Sequence, residues 1–215
     1  MCLLCGYRDF VVQKAEKFVY LLLGRYICQN LPMSTRDSII KLGDELIRDK
    51  GYNAFSFYDI SKTLGIKNAS IHYHFPTKTD LGVCIIRQHI QQLEELVKKN
   101  INKDPLAKLK AFLAIYTYTK SENRVCLVGS LATDLHTVEK KVQKELKSFV
   151  EKILEWVTAI LEEGKAKKVF AFDTPARTKA LMVITNMLAA LQLTRLTNEK
   201  DFNTIKDTIL KELKA

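Results

Sequence analysis

Apolar and polar positions alternate along this chain with the spacing of helices. Between Thr35 and Lys50 the apolar or small residues Ile39, Gly43, Leu46 and Ile47 share one helical face, Ser34 and Thr35 supply cap chemistry, and Gly51 supplies a stop. Two short helices are predicted next, Phe57 to Leu64 and Asn68 to His74, and Thr77 opens a long one reaching about Asn100. Asp104-Pro105 starts a further helix to about Lys120, and Arg124 to about Leu135 reads as a shorter one. Val142, Leu146, Phe149, Ile153, Val157, Ile160 and Leu161 then trace a single apolar stripe that ends at Gly164. Thr174 to about Leu196 and Glu199 to about Leu213 complete the set. The first of these carries Leu181, Ile184, Leu188 and Leu191 with Ala180 and Ala189 between them, a face wide enough for core or for an interface. No internal repeat or low-complexity tract interrupts the pattern.

Composition agrees with an all-α chain. Of 215 residues 47% are hydrophobic, enough for a sizeable core, while only 8 are Gly and 4 are Pro, too few for a turn-rich sandwich. The net charge of +10 points to a polyanionic partner only if it is clustered. Residues 33–100 hold 10 Lys/Arg against 8 Asp/Glu, and residues 101–215 hold 20 against 14, so the bulk excess marks no binding region. Within Ile60 to Thr79, however, Lys62, Lys67 and Lys78 have no acidic neighbour.

Residues 1–32 read differently from the rest. They contain Cys2, Cys5 and Cys28 and a possible helix from Phe10 to about Cys28, and Pro32 separates them from the helix that opens at Ser34 and Thr35. Met33 is the expected physiological start, with a genuine extra N-terminal helix as the rival expectation. Cys2-x-x-Cys5 lacks a second ligand pair at zinc spacing, so no metal is expected, and His72 and His74 diverge on a helix. With Cys84 and Cys126 the cysteines number 5, an odd set with no leader before it, which favours reduced thiols and a cytoplasmic location. Phe18 to Leu23 is apolar, but Lys14, Glu16, Lys17 and Arg25 keep any run far short of a membrane span.

The chemistry concentrates between Ser56 and Asp80. Ser56 and Asp59 form the ends of a capping box, and Leu64-Gly65-Ile66 reads as a helix stop with Gly65 left-handed. The turn of about three residues is the length that joins two helices steeply in a helix-turn-helix. At 100° per residue, Ile71 and Phe75 share a face that packs on Ile60 and Leu64, and Tyr73 points away from it. Ala69 and Ser70 lie on the outward side, with His72 and His74 flanking, and such a rod fits the major groove. Lys78, in the first turn of the next helix, is placed to meet a phosphate beside free amides.

The run from Ser56 through Ile60-Ser61, Leu64-Gly65-Ile66, Ala69-Ser70-Ile71-His72-Tyr73-His74-Phe75-Pro76-Thr77-Lys78 to Asp80-Leu81 resembles the DNA-binding signature of TetR regulators, densely so from Ser34 to Leu93. The resemblance implies an N-terminal three-helix DNA-binding domain, taken as residues 33–81, with Ser70, His72, Tyr73 and Lys78 at contact positions. A larger helical ligand-binding and dimerisation domain, residues 82–215, would come after it, joined through the long helix at about 77–100. Two departures stand out. Ala69 and His72 replace the usual Gly and Tyr, so a phosphate contact falls to Tyr73 or His74. Lys67 stands where Ser or Thr often caps, leaving Asn68 as an alternative cap. The full set of expected DNA contacts is therefore Lys67, Asn68, Ser70, His72, Tyr73, His74 and Lys78.

In the C-terminal part the likeness is less specific and rests on the helix count and on Cys126 to Asp134. It implies that two long helices flanking a Glu-Gly turn pair with their symmetry mates in a homodimer. Phe112, Tyr116, Cys126, Leu131 and Trp156 are of the types that line apolar effector pockets, and each is also ordinary core. Cys126 heads a segment resembling a branch that senses electrophiles and oxidants, and Arg124 nearby would favour its thiolate; the alternative is an inert buried thiol. The expected function is a repressor of operator DNA, released by a small apolar or electrophilic effector. A helical protein-binding adaptor is the alternative. An enzyme is disfavoured because no phosphate loop, H-E-x-x-H or nucleophile elbow is present, and Cys126, Asp134 and His136 crowd together with nothing to orient them. No cofactor is expected.

Overall fold

The computed structural model describes residues 33–214, and the expectations for residues 1–32, including the helix at Phe10 and the Cys2/Cys5 pair, lie outside them. Nine α-helices account for the described residues: α1 (Thr35–Lys50), α2 (Phe57–Leu64), α3 (Asn68–His74), α4 (Lys78–Asn100), α5 (Pro105–Ser121), α6 (Leu127–Thr133), α7 (Lys140–Ala166), α8 (Ala176–Leu193) and α9 (Glu199–Leu213). A single 3-10 turn, Tyr52–Ala54, joins α1 to α2, and Gly51 before it takes φ 96°. This turn has no apolar period and was not expected.

Caps set the boundaries. The Ser34 hydroxyl accepts from the Asp37 amide at 3.1 Å, and Asp104 accepts from the Ala107 amide at 2.9 Å ahead of Pro105. Thr77 and Asp80 satisfy each other's amides reciprocally, both at 3.1 Å, at the start of α4.

Packing produces two apolar cores. The first gathers Ile39, Ile47, Ile60, Ile71 and Phe75 from α1–α3 and continues without a break through Ile85 and Ile86 of α4, Leu127 and Leu131 of α6, and Val142 and Leu146 of α7. The second joins α5, the C-terminal half of α7, α8 and α9 around Phe112, Val157, Leu161, Met187 and Phe202. The long helix α7 runs through both, and α4 carries the first core from the N-terminal helices to it.

Three expected boundaries are corrected. The helix expected from Arg124 to Leu135 is confined to Leu127–Thr133, because Cys126 is its extended N-cap and its sulfur accepts from the Gly129 amide at 3.2 Å. Gly164 does not end α7, and no turn lies at Glu163-Gly164. The helix runs on to Ala166, and the left-handed residue is Lys168 at φ 57°. Gly164 is needed for space instead: a Cβ there would lie 1.9 Å from Phe170 Cδ2, so the ring folds back against bare backbone. The next helix begins at Ala176 and ends at Leu193, inside the expected range.

Candidate nucleic-acid interface and effector cavity

The helix-turn-helix is built as its sequence dictates. The amide and the hydroxyl of Ser56 both donate to Asp59 Oδ2 at 2.7 Å, which holds that carboxyl below the usual range. At the far end of α2, Gly65 adopts φ 65°, ψ 28°, and the amides of Gly65 and Ile66 both donate to the Ser61 carbonyl. The chain then turns and α3 begins at Asn68. Lys67 occupies its N-cap with extended backbone and no side-chain cap, so Asn68 does not cap and stands at the first helical position. The amides at this end carry no side-chain acceptor.

Ile71 is fully buried and Phe75 nearly so, whereas Tyr73 is 84% exposed. Lys67, Asn68, Ala69 and His72 are exposed beside it, and Ser70 and His74 are half-buried. The His74 ring meets Tyr73 edge-on with centroids 5.1 Å apart. His72 leans against Phe57, also at 5.1 Å, and its Nδ1 lies 3.2 Å from the Pro76 carbonyl oxygen, which fixes the direction of the ring.

Lys78 is engaged within the domain in this structure. Its ammonium donates to the Phe55 carbonyl and lies over the rings of Phe55 and Tyr52, 4.2 and 4.8 Å from their centroids. Burial lowers its pKa, opposed by Asp134 and Asp59. Lys78 therefore braces the Tyr52–Ala54 turn against α4, its lost hydration offset in part by two aromatic faces and a carbonyl. Exposed groups that the sequence reading passed over are Tyr58, 65% exposed on α2, and Arg36, whose guanidinium covers the Phe75 ring at 5.2 Å. An aromatic residue outside the apolar stripe of α2 was the available signal for Tyr58.

Several polar contacts fasten the N-terminal helices to the bundle. Arg124 reaches Asp49 at 3.1 Å, and Glu45 and Glu122 at 3.4 Å. The Ser130 hydroxyl donates to the Ile47 carbonyl, the Tyr52 amide to Asp134 at 2.8 Å, and Asn53 to Thr137 at 2.6 Å. The segment from Arg124 to Thr137 is thus the strap that seats α1 on the larger body.

Behind that strap lies a partly open cavity of about 140 Å³ between α1 and α4–α8, with the exposed Val150 and Leu181 among its lining. Phe112, Tyr116 and Cys126 line it, while Leu131 is fully buried core and Trp156 stands behind Phe112, edge-on at 6.0 Å, without lining the space. Burial pushes the Cys126 thiol up, against the Gly129 amide and the Arg48 charge, which pull it down. Arg124, expected to favour the thiolate, is committed to three carboxylates instead. Arg48, the charge that acts on the sulfur, was missed; it stands in an i, i+4 row with the buried Ile40 and with Asp44.

Comparison with known proteins agrees with this geometry. Residues 39–82 match the family model described as bacterial regulatory proteins, tetR family, and residues 105–204 match the tetracyclin repressor-like C-terminal domain. A TetR transcriptional regulator from Legionella pneumophila is 33% identical, covering 86% of this chain and 100% of its own, with a TM-score of 0.77. The chain belongs to the TetR family. It is a DNA-binding transcriptional regulator with an all-α fold, a class of proteins that are not enzymes. A second TetR family regulator, from Agrobacterium tumefaciens, is 30% identical over 84% of this chain and 97% of its own, with a TM-score of 0.78. The biofilm operon icaADBC negative transcriptional regulator of Staphylococcus aureus is 22% identical over 134 residues, 61% of this chain and 72% of that protein. Among the described residues, no helix of this TetR chain is long and apolar enough to cross a membrane.

Proposed function

We propose that this regulator is a homodimeric repressor that holds its operator with α3 and lets go when a small, mainly apolar molecule enters the cavity behind the strap. The carrying observation is the contrast within α3: Ile71 is fixed in the core while Tyr73, two residues on, stands 84% exposed with Lys67 and Asn68 beside it. A helix anchored on one side and bare on the other fits the ~12 Å major groove. In this reading residues 33–81 form the reading head and residues 82–215 the dimerisation and effector body. Ser70, His72, Tyr73 and His74 meet the DNA, while Lys67 meets phosphate.

Support for the dimer comes from α8, which carries large apolar residues on its exposed side as well as on its core side. Ala180, Val183 and Met187 face the core, whereas Leu181, Met182 and Leu193 are 45%, 46% and 56% exposed. Exposed apolar area of that kind marks an interface, and two heads are needed for two half-sites a DNA turn apart. Repression is supported by the likeness to a negative transcriptional regulator. Release by a ligand that binds without covalent attachment is favoured over thiol modification, since the half-buried Cys126 thiol is held up by desolvation and is a poor nucleophile. The site of action is the cytoplasm, where the operator is.

The test is retardation of a duplex carrying the gene's own upstream region. Affinity is expected to fall by roughly a thousandfold or more between about 50 and 200 mM salt, as released counterions require. An affinity indifferent to salt would contradict the reading.

A further inference from the structure

Most of the cavity wall is apolar, from Leu93 and Leu96 of α4 to Ile184 and Leu188 of α8, but one end is not. Arg48 and His89 stand there, with Gln92 and Thr119 alongside, and no carboxylate lines the space. Arg48 is only 9% exposed. Its Nε lies 3.1 Å from Asp44 Oδ2, close enough for charge attraction, yet it makes no hydrogen bond and is shut off from solvent. The other oxygen of Asp44 lies 2.8 Å from His89 Nε2. The remaining acidic groups near this end, Glu45, Asp49 and Glu122, are held by Arg124. A buried guanidinium donor without an acceptor is a standing cost, and a carboxylate in the cavity removes it by turning the guanidinium away from Asp44.

We infer that the effector is a compact organic acid, an apolar body of about benzene size whose carboxylate hydrogen-bonds Arg48 at the α1 end of the cavity. The size comes from the volume: ~140 Å³ is close to that of an engineered apolar cavity that holds benzene. The headgroup comes from the wall, which offers the cavity a cation and an imidazole but no anion. This inference rests on the reading of the cavity as the effector site.

It also supplies the coupling that release requires. Arg48 and Asp44 belong to α1, which packs directly on α2 and α3, and His89 belongs to α4. A carboxylate that draws Arg48 away from Asp44 makes a contact in one arrangement of α1 against α4 and not in the other, and only such a differential contact shifts the population of DNA-competent dimers.

The experiment titrates the full chain with sodium benzoate and with benzyl alcohol, its uncharged near-isostere, by calorimetry, and repeats both with operator duplex present. Benzoate is expected to bind at least about tenfold more tightly than benzyl alcohol and to lower duplex affinity, and Arg48→Gln to abolish that preference while still taking up benzyl alcohol. Equal or tighter binding of benzyl alcohol overturns the inference, as does failure of benzoate to bind. The comparison on the natural chain stands even if Arg48→Gln does not fold. If the duplex is not retarded without any ligand, it is the repressor reading that fails, and the calorimetric comparison still decides the headgroup.

Discussion

Asp44 shows how single side chains in this molecule are set by their neighbours. Burial acts to raise its carboxyl, but His89, Arg48 and Arg124 outweigh burial and hold it below the usual range. A depressed folded pKa means that Asp44 stabilises the fold above the unfolded carboxylate value of about 3.9, and that this contribution is lost as pH falls through the lower folded value. Asp44→Asn is expected to lose about 3 kcal/mol at neutral pH, and the two proteins should converge in acid, as measured by denaturant unfolding at both pH values. A gap that persists unchanged in acid would show that the carboxylate charge is not the cause. Such contacts were hidden in the sequence. The i, i+4 pairing of Asp44 with Arg48 could be read from spacing, but nothing in the order of residues brings His89 or Arg124 to them. The same blindness hid the cradle of Lys78, whose aromatic neighbours Tyr52 and Phe55 lie more than twenty positions upstream.

At the scale of elements, the sequence was most informative where local chemistry alone fixes an end. Ser56 with Asp59, Leu64-Gly65-Ile66 and Thr77 with Asp80 gave α2 and the start of α4 as observed, because each boundary is made by groups within a few residues of it. Where a distant side chain decides, the reading failed. Gly164 looks like a helix stop from either side of the sequence, yet the reason for glycine is the Phe170 ring six positions on. Gly164→Ala is expected to destabilise by about 1–3 kcal/mol through overpacking, seen as a lowered thermal midpoint. A neutral or stabilising effect would mean that the ring moves freely and that glycine is there for another reason. The shortened α6 has the same origin, for Cys126 became a cap rather than a helical residue. Its segment proved to be the strap under α1, a role that no periodicity could announce.

For the whole molecule, the first core runs without a break from α3 through α4 to α7. In the proposed function, reading head and effector cavity share this packed body, and a change around Arg48 would reach α1 and through it α3. The apolar outer face of α8 would join two such bodies, and the distance between their heads would then depend on how α1 sits on the strap. The fold class and the exposed side of α3 were legible from apolar spacing; the cavity, made by six elements meeting, was not. The central claim is that the bare face of α3 reads bases. The most direct measurement compares Tyr73→Ala with the natural chain on the operator duplex and on a scrambled duplex at fixed salt, with thermal midpoints alongside. The account predicts unchanged midpoints and a fall of roughly tenfold to a hundredfold in preference for the operator, as expected for a lost base contact of about 1–3 kcal/mol. An operator preference that survives intact in Tyr73→Ala would contradict it.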